Sequence, residues 1–174
     1  LGNLFQRLGQ HQQAISLYQK AIKINPDDRN AHSYYNLGNV FNALGEQNVA
    51  ISYYQKTIQI NPNYLEAYLN LGNIFQRLGQ HQQAISLYQK VIKINPKYAD
   101  AYNNLALVFR ELGNQIKAIN YCKKAIQIKS DFTDAHYNLG LVLNKLGKYQ
   151  NSINSYKKTI QINPNYLEAY LNLG

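Results

Sequence analysis

Asn36, Asn70, Asn104, Asn138 and Asn172 recur every 34 residues, and an amide side chain presented at a fixed interval has a definite chemistry. Each amide carries two N–H donors and an oxygen with two lone pairs, which matches the N–H and C=O groups of an extended peptide backbone whatever its side chains. Asparagine is a poor helix former, about 0.5–0.7 kcal/mol worse than alanine, so a row of it on helices asks for a reason. Three readings are open at this point: contact with a ligand backbone, a solvated polar column, or a hydrogen bond between neighbouring repeats. Beside the row stand Asn39 and Asn73, and the cations Arg7, Arg77, Arg110 and Lys145, with Gln6, Asn42, Gln76 and Asn144 among them. The cations suit acidic ligand side chains, and equally suit the negative end of a helix. Glu66, Asp100, Asp134 and Glu168 precede the row, where carboxylates complement a helix N-terminus.

Other chemistries find little support. Cys122 is the single cysteine, which excludes an intramolecular disulfide and a cysteine-based zinc cluster, and a buried inert thiol is expected. His11, His81, His32 and His136 show no pair with metal-ligand spacing on one helix, and there is no P-loop, nucleophile elbow or glycine-rich phosphate cradle. No catalytic residue, metal or cofactor is expected, and the chain reads as a non-enzyme. The net charge of +9 favours acidic surfaces in general. Lys20, Lys56, Lys90, Lys124 and Lys158 form a column without interleaved aromatics, so a solvated face is expected rather than a specific nucleic-acid interface. No apolar stretch has the roughly 18–20 residues needed to cross a bilayer, and no membrane partner is expected.

The elements that position these residues follow from the same period. Gly38, Gly72, Gly140 and Gly174 lie on a 34-residue grid, with Ala106 in the remaining place and Gly2 displaced by a two-residue insertion. A second row, Gly9, Gly45, Gly79, Gly113 and Gly147, follows seven residues later, and Pro62, Pro96 and Pro164 keep the interval, with Ser130 in the gap. Tyr68, Leu71, Gly72 and Phe75 fall at helical steps and predict a first helix, A; Ala84, Ile85, Tyr88, Val91 and Ile92 predict a second, B, ending at Asn95-Pro96. The Gly72, Ala84 and Val91 columns are small, whereas the Phe75 column (Phe5, Phe41, Phe109) and the Tyr88 column (Tyr18, Tyr54, Tyr156) are large. Alternating sizes let antiparallel helices interlock at about 8–10 Å. Each pair still has a bare apolar flank that only stacking on the next pair covers.

This combination closely resembles the tetratricopeptide repeat (TPR) family: the early aromatic position (Tyr34, Tyr68, Tyr102, Tyr170, with His136 departing), Leu-Gly three residues on, the small and aromatic positions of helix B and the closing proline. The resemblance implies an all-α, right-handed α-α superhelix, a solenoid whose concave groove is lined by helix A. It covers residues 1–174 as a single array: a truncated first repeat (1–28), an insertion (29–30), full repeats 31–64, 65–98, 99–132 and 133–166, and a partial helix A (167–174). Leu1–Pro26 matches Leu71–Pro96 at 24 of 26 positions, and Gln55–Gly72 matches Lys157–Gly174 at 17 of 18, the mark of block duplication in a longer array.

The asparagine row looks like that of the superhelical arm of O-linked N-acetylglucosamine transferases, in which asparagines at the matching helix A position hold a peptide backbone. The carboxylate clamp of chaperone-binding TPR proteins requires a lysine where this chain has Tyr35, Leu69, Asn103, Tyr137 and Leu171, so chaperone-tail binding is disfavoured. A non-catalytic scaffold is expected, binding a protein or peptide through Asn36, Asn39, Asn70, Asn73, Asn104, Asn138, Arg77 and Arg110. A substrate-selecting arm of a larger enzyme and a head-to-tail homo-oligomer joined through unfinished ends are the alternatives. Localisation is left open, with the cytoplasm favoured.

Overall fold

The computed structural model describes residues 10–24 and 30–173. Gly2, Phe5, Gln6, Arg7, Gly9, Pro26 and Gly174, with most of the expected first helix A and of the insertion, lie outside the described residues. The chain is all-helical, and no strand occurs among the described residues. The helices are α1 (His11–Ile24), α2 (Ala31–Ala43), α3 (Gln47–Ile60), α4 (Leu65–Arg77), α5 (His81–Ile94), α6 (Ala99–Glu111), α7 (Gln115–Ile128), α8 (Thr133–Lys145), α9 (Tyr149–Ile162) and α10 (Leu167–Leu171). Even-numbered helices are the expected A elements and odd-numbered ones the B elements. The chain divides into two compact units, Leu1–Gln80 and His81–Gly174.

The A-to-B turns are set by the second glycine row. Gly45, Gly79, Gly113 and Gly147 have φ of +79°, +71°, +74° and +70°, a region that costs a residue with a Cβ. After α2 the Gly45 N–H donates to the Asn42 carbonyl at 3.1 Å and the Glu46 N–H to the Phe41 carbonyl at 2.9 Å. These are the paired bonds of a Schellman motif, which satisfies carbonyls the helix end would otherwise orphan. Three of the described B-to-A turns are set by asparagine-proline, the fourth having Lys129-Ser130. The Asn61, Asn95 and Asn163 side chains each accept the N–H two residues on at 3.0 Å, closing a turn where the following proline forbids more helix.

Within the first unit, Ala14, Ile15 and Tyr18 of α1 are buried with Leu37 and Val40 of α2, and Ile22, Phe41 and Tyr53 pack against them. Phe41 and Tyr53 stack with centroids 5.4 Å apart at 8°. Two repeats later, in the second unit, Phe109 and Tyr121 repeat the stack at 5.4 Å and 10°. The same aromatic columns therefore fill the same gaps between helices.

The small-residue columns mark close approach. A Cβ added to Gly38 would sit 2.6 Å from Tyr54 Cε1, and one added to Gly140 would sit 2.5 Å from Tyr156 Cε1. Ala106 and Cys122 occupy those two positions, also sixteen residues apart, in the repeat 99–132. There the extra methyl of alanine coincides with loss of the tyrosine ring, and both residues are fully buried. The exchange trades volume on one helix for volume on the other, the kind of swap a packed core tolerates best.

Candidate functional site

The row of asparagines lies where the A helices of one unit meet, so its environment is set by the neighbouring A helix as much as by solvent. Asn36 and Asn138 are buried, while Asn70 and Asn104 are half-buried. Of the three readings left open by the sequence, a solvated polar column does not describe the buried Asn36 and Asn138. An amide enclosed to that degree is destabilising unless hydrogen-bonded, and for Asn70 and Asn138 a second A helix supplies the partner.

In the first unit, Asn70 Nδ2 on α4 donates to the Tyr35 hydroxyl at 3.2 Å and to Asn39 Oδ1 at 3.0 Å, both on α2. Asn39 Oδ1 also accepts from the Tyr54 hydroxyl of α3 at 2.7 Å, so one amide joins three helices. Arg77 Nη2 donates to Asn42 Oδ1 at 2.6 Å, a second tie between α4 and α2. Burial, the main influence on the Tyr54 phenol, holds its pKa well above the ordinary range. Asn36 Nδ2 is buried and has no hydrogen-bond partner among the described residues.

In the second unit, Asn138 Nδ2 on α8 donates to Asn103 Oδ1 on α6 at 2.9 Å, and both residues are buried. Arg110 Nη1 approaches Asn138 Oδ1 at 3.4 Å. Asn172, beyond α10, donates to the Tyr137 hydroxyl at 3.4 Å and to the Glu168 carbonyl at 2.7 Å. Asn73 and Asn104 are half-buried and are likewise engaged by neighbours.

Sequence reasoning missed Tyr35, Asn103 and Tyr137 as partners of the row. They occupy the column singled out above for lacking a clamp lysine, and each stands 35 residues before the asparagine it meets. That spacing, one repeat plus one residue, was the available signal. At the same offset before Asn104 the sequence has Leu69, which carries no polar side chain.

Tyrosines flank the row in a recurring trio. Tyr35 lies 5.9 Å from Tyr54 and 4.9 Å from Tyr64, and Tyr137 lies 5.8 Å from Tyr156 and 5.0 Å from Tyr166. The Tyr64 hydroxyl meets His32 Nδ1 at 3.0 Å, and the Tyr166 hydroxyl donates to Asp134 Oδ1 at 3.2 Å. Burial, with the neighbouring Tyr35 and Glu66 adding to it, pushes the Tyr64 phenol up to about 12. Glu66, Asp100, Asp134 and Glu168 all occupy first turns of A helices, and Arg77, Arg110 and Lys145 occupy last turns.

Elsewhere the lysine column Lys20, Lys56, Lys90, Lys124 and Lys158 is exposed on the B helices, and Lys56, Lys124 and Lys158 each bond a glutamine three residues on. Cys122 is fully buried, and that burial raises its thiol to about 12. Among the described residues no group of three or more His, Cys, Asp or Glu is placed to hold a metal ion, and no helix is long and apolar enough to cross a membrane.

Several solved structures share this architecture. The crystal structure of MamA is 30% identical, with 97% of each chain covered and a TM-score of 0.81. TTC0263, a thermophilic TPR protein of Thermus thermophilus, is 25% identical over 99% of this chain and 93% of its own, with a TM-score of 0.78. YrrB, a TPR protein with an unusual peptide-binding site, is 20% identical over 98% of this chain and 87% of its own, with a TM-score of 0.75. Among curated proteins, none matches the chain in sequence. Tetratricopeptide repeat profiles match residues 1–63, 65–131 and 133–166. With turn glycines, closing prolines and paired amphipathic helices in register with those matches, the chain belongs to the tetratricopeptide repeat family.

Proposed function

We propose that the chain is a non-catalytic scaffold that binds an extended polypeptide segment over the polar face of its A helices, with Asn36, Asn39, Asn70, Asn73, Asn104 and Asn138 as its backbone-facing groups and Arg77 and Arg110 beside them. TPR proteins are in general protein-interaction scaffolds, and a solved chain of the same fold carries a peptide-binding site. The observation that carries the reading is the arrangement of the Asn70 amide. Both its N–H donations go to α2, to Tyr35 and Asn39, which fixes the side chain in one orientation. Its oxygen, on a half-buried residue, is thereby held in a defined direction for an incoming backbone N–H. A preorganised acceptor loses less entropy on binding than a freely rotating one.

Spacing supports the same conclusion. Stacked helices advance about 10 Å per repeat and an extended chain about 3.3 Å per residue, so one asparagine meets about every third ligand residue. The Asn70 amide then acts twice, once in joining A helices and once in presenting its oxygen. The test is selection of 12-residue peptides from a random displayed library, followed by titration of a selected peptide and its backbone N-methylated analogue. Loss of affinity on N-methylation at every third residue is expected, together with about tenfold weaker binding to the Asn70→Ala protein. Failure to select any peptide, or indifference of a selected peptide to N-methylation, overturns the reading.

A further inference from the structure

Arg110 differs from the other members of its column, Asn42, Gln76 and Asn144, in carrying a charge. It sits half-buried in the last turn of α6, and its one described hydrogen bond, to Asn138 Oδ1, is long at 3.4 Å. No carboxylate lies within ion-pairing distance of it among the described residues. The neighbouring Glu111 instead approaches His81 Nδ1 at 3.5 Å. A guanidinium has five N–H donors in a fixed fork and stays charged at any accessible pH. None of the Arg110 nitrogens is among the buried polar atoms left without a partner, so the unused donors face solvent.

The surroundings of this cation differ from those in the first unit. In the first unit a tyrosine hydroxyl, that of Tyr54, donates into the amide network. At the corresponding position of the repeat 99–132 stands Cys122, which has no hydroxyl, Leu107 stands where Asn39 accepts in the first unit, and Arg110 donates to Asn138 on the next A helix. Burial raises both the Cys122 thiol and the Tyr156 phenol, and the Arg110 charge partly offsets the rise in each. A half-enclosed cation without a counter-ion is poorly solvated on one side, and a planar carboxylate is the group whose geometry its fork matches.

We infer that Arg110, backed by Asn138, forms a subsite for an acidic side chain, aspartate or glutamate, on the bound polypeptide. The inference rests on the peptide-binding reading and names the chemistry of the partner at one place. The bond to Asn138 holds the fork beside the asparagine row, so a ligand backbone following the row in the second unit brings its side chains within reach of the free donors. The subsite is assigned to a side chain rather than to the ligand's C-terminal carboxylate, a choice that C-terminally amidated peptides test.

The same 12-residue displayed library, with every peptide amidated at its C-terminus, tests this on the intact chain and on Arg110→Gln and Arg110→Lys proteins of unchanged far-UV circular dichroism. Peptides selected on the wild-type chain are expected to share Asp or Glu at one register position. Exchange of that residue for Asn or Gln is expected to weaken binding about ten- to hundredfold, as loss of a charge-assisted bond does. The Arg110→Gln protein is expected to bind the acidic and amide peptides equally, and Arg110→Lys to restore part of the difference. Selected peptides that bind without a shared acidic position, or an acidic preference that survives Arg110→Gln, overturn the subsite and leave the peptide-binding reading intact. Absence of any selected peptide overturns both.

Discussion

Replacing Gly140 with alanine probes the closest helix approach in the second unit. The new Cβ would lie 2.5 Å from Tyr156 Cε1 and 2.7 Å from Cδ1, whereas ordinary contact begins at 3.4 Å, so ring and helix must separate by close to an ångström. Tyr156 is only 1% exposed and has no free volume to retreat into. Overpacking of this kind costs roughly 1–3 kcal/mol, against which alanine returns about 0.5–1 kcal/mol of helix propensity. The net expectation is a loss of up to about 2.5 kcal/mol, centred on about 1 kcal/mol, seen as a melting temperature lower by roughly 2–4 °C per kcal/mol in a chain of this size. Thermal unfolding followed by circular dichroism measures it. Tyr156→Cys alone opens a cavity and is expected to lose about 3 kcal/mol or more. The double variant, which recreates the natural Ala106 and Cys122 pair, is expected to fall short of the sum by about 1 kcal/mol. A rise in melting temperature for Gly140→Ala, the sign of helix propensity acting alone, or strict additivity in the double variant, would refute the close-approach argument.

Asn103→Ala and Asn138→Ala each strand a buried partner and are expected to cost about 1–3 kcal/mol, with a coupling near 1 kcal/mol in a double-mutant cycle by urea denaturation; zero coupling contradicts the bond. Cys122 is expected to resist a disulfide reagent at pH 8 in the folded chain and to react at once in denaturant, because burial raises its thiol to about 12. Its ordinary value is 9.0, so between pH 9 and pH 12 the unfolded chain holds fewer protons than the folded one. Stability therefore falls as pH rises through that window, and Cys122→Ala is expected to show a shallower decline in denaturation midpoint. Lys124→Ala and Lys158→Ala, at exposed positions, are expected to change stability by no more than about 0.5 kcal/mol, checked by the same denaturation.

Much of the fold was legible because it rests on local rules repeated in register. Each glycine expected at an A-to-B turn and described in the structure has the positive φ that glycine alone adopts easily, and each asparagine-proline among the described residues ends a B helix. The columns of small and large residues gave the packing, including Gly38 against Tyr54. The asparagine row was legible as a row but not as a network. Helical periodicity assigns a residue to a face, whereas burial on that face depends on how closely the next A helix approaches, a tertiary quantity. Periodicity alone puts Asn138 on an open polar face for that reason, and it is buried against Asn103. Arg110 was named from the sequence as a cation suited to acidic ligand side chains, but that it lies apart from carboxylates among the described residues is a fact of three-dimensional neighbours, Glu111 being engaged with His81.

Side-chain amide resonances of asparagine report directly on the central claim, that the polar face of the A helices receives a polypeptide. In a two-dimensional 15N NMR titration with a library-selected peptide, the Nδ2 signals of Asn70, Asn104 and Asn138 and the Nε signal of Arg110 are expected to shift together in a saturable way, while residues around Lys56, Lys124 and Lys158 on the B helices stay in place. Shifts confined to the lysine-bearing B helices, with the asparagine amides unmoved at saturation, would contradict the account.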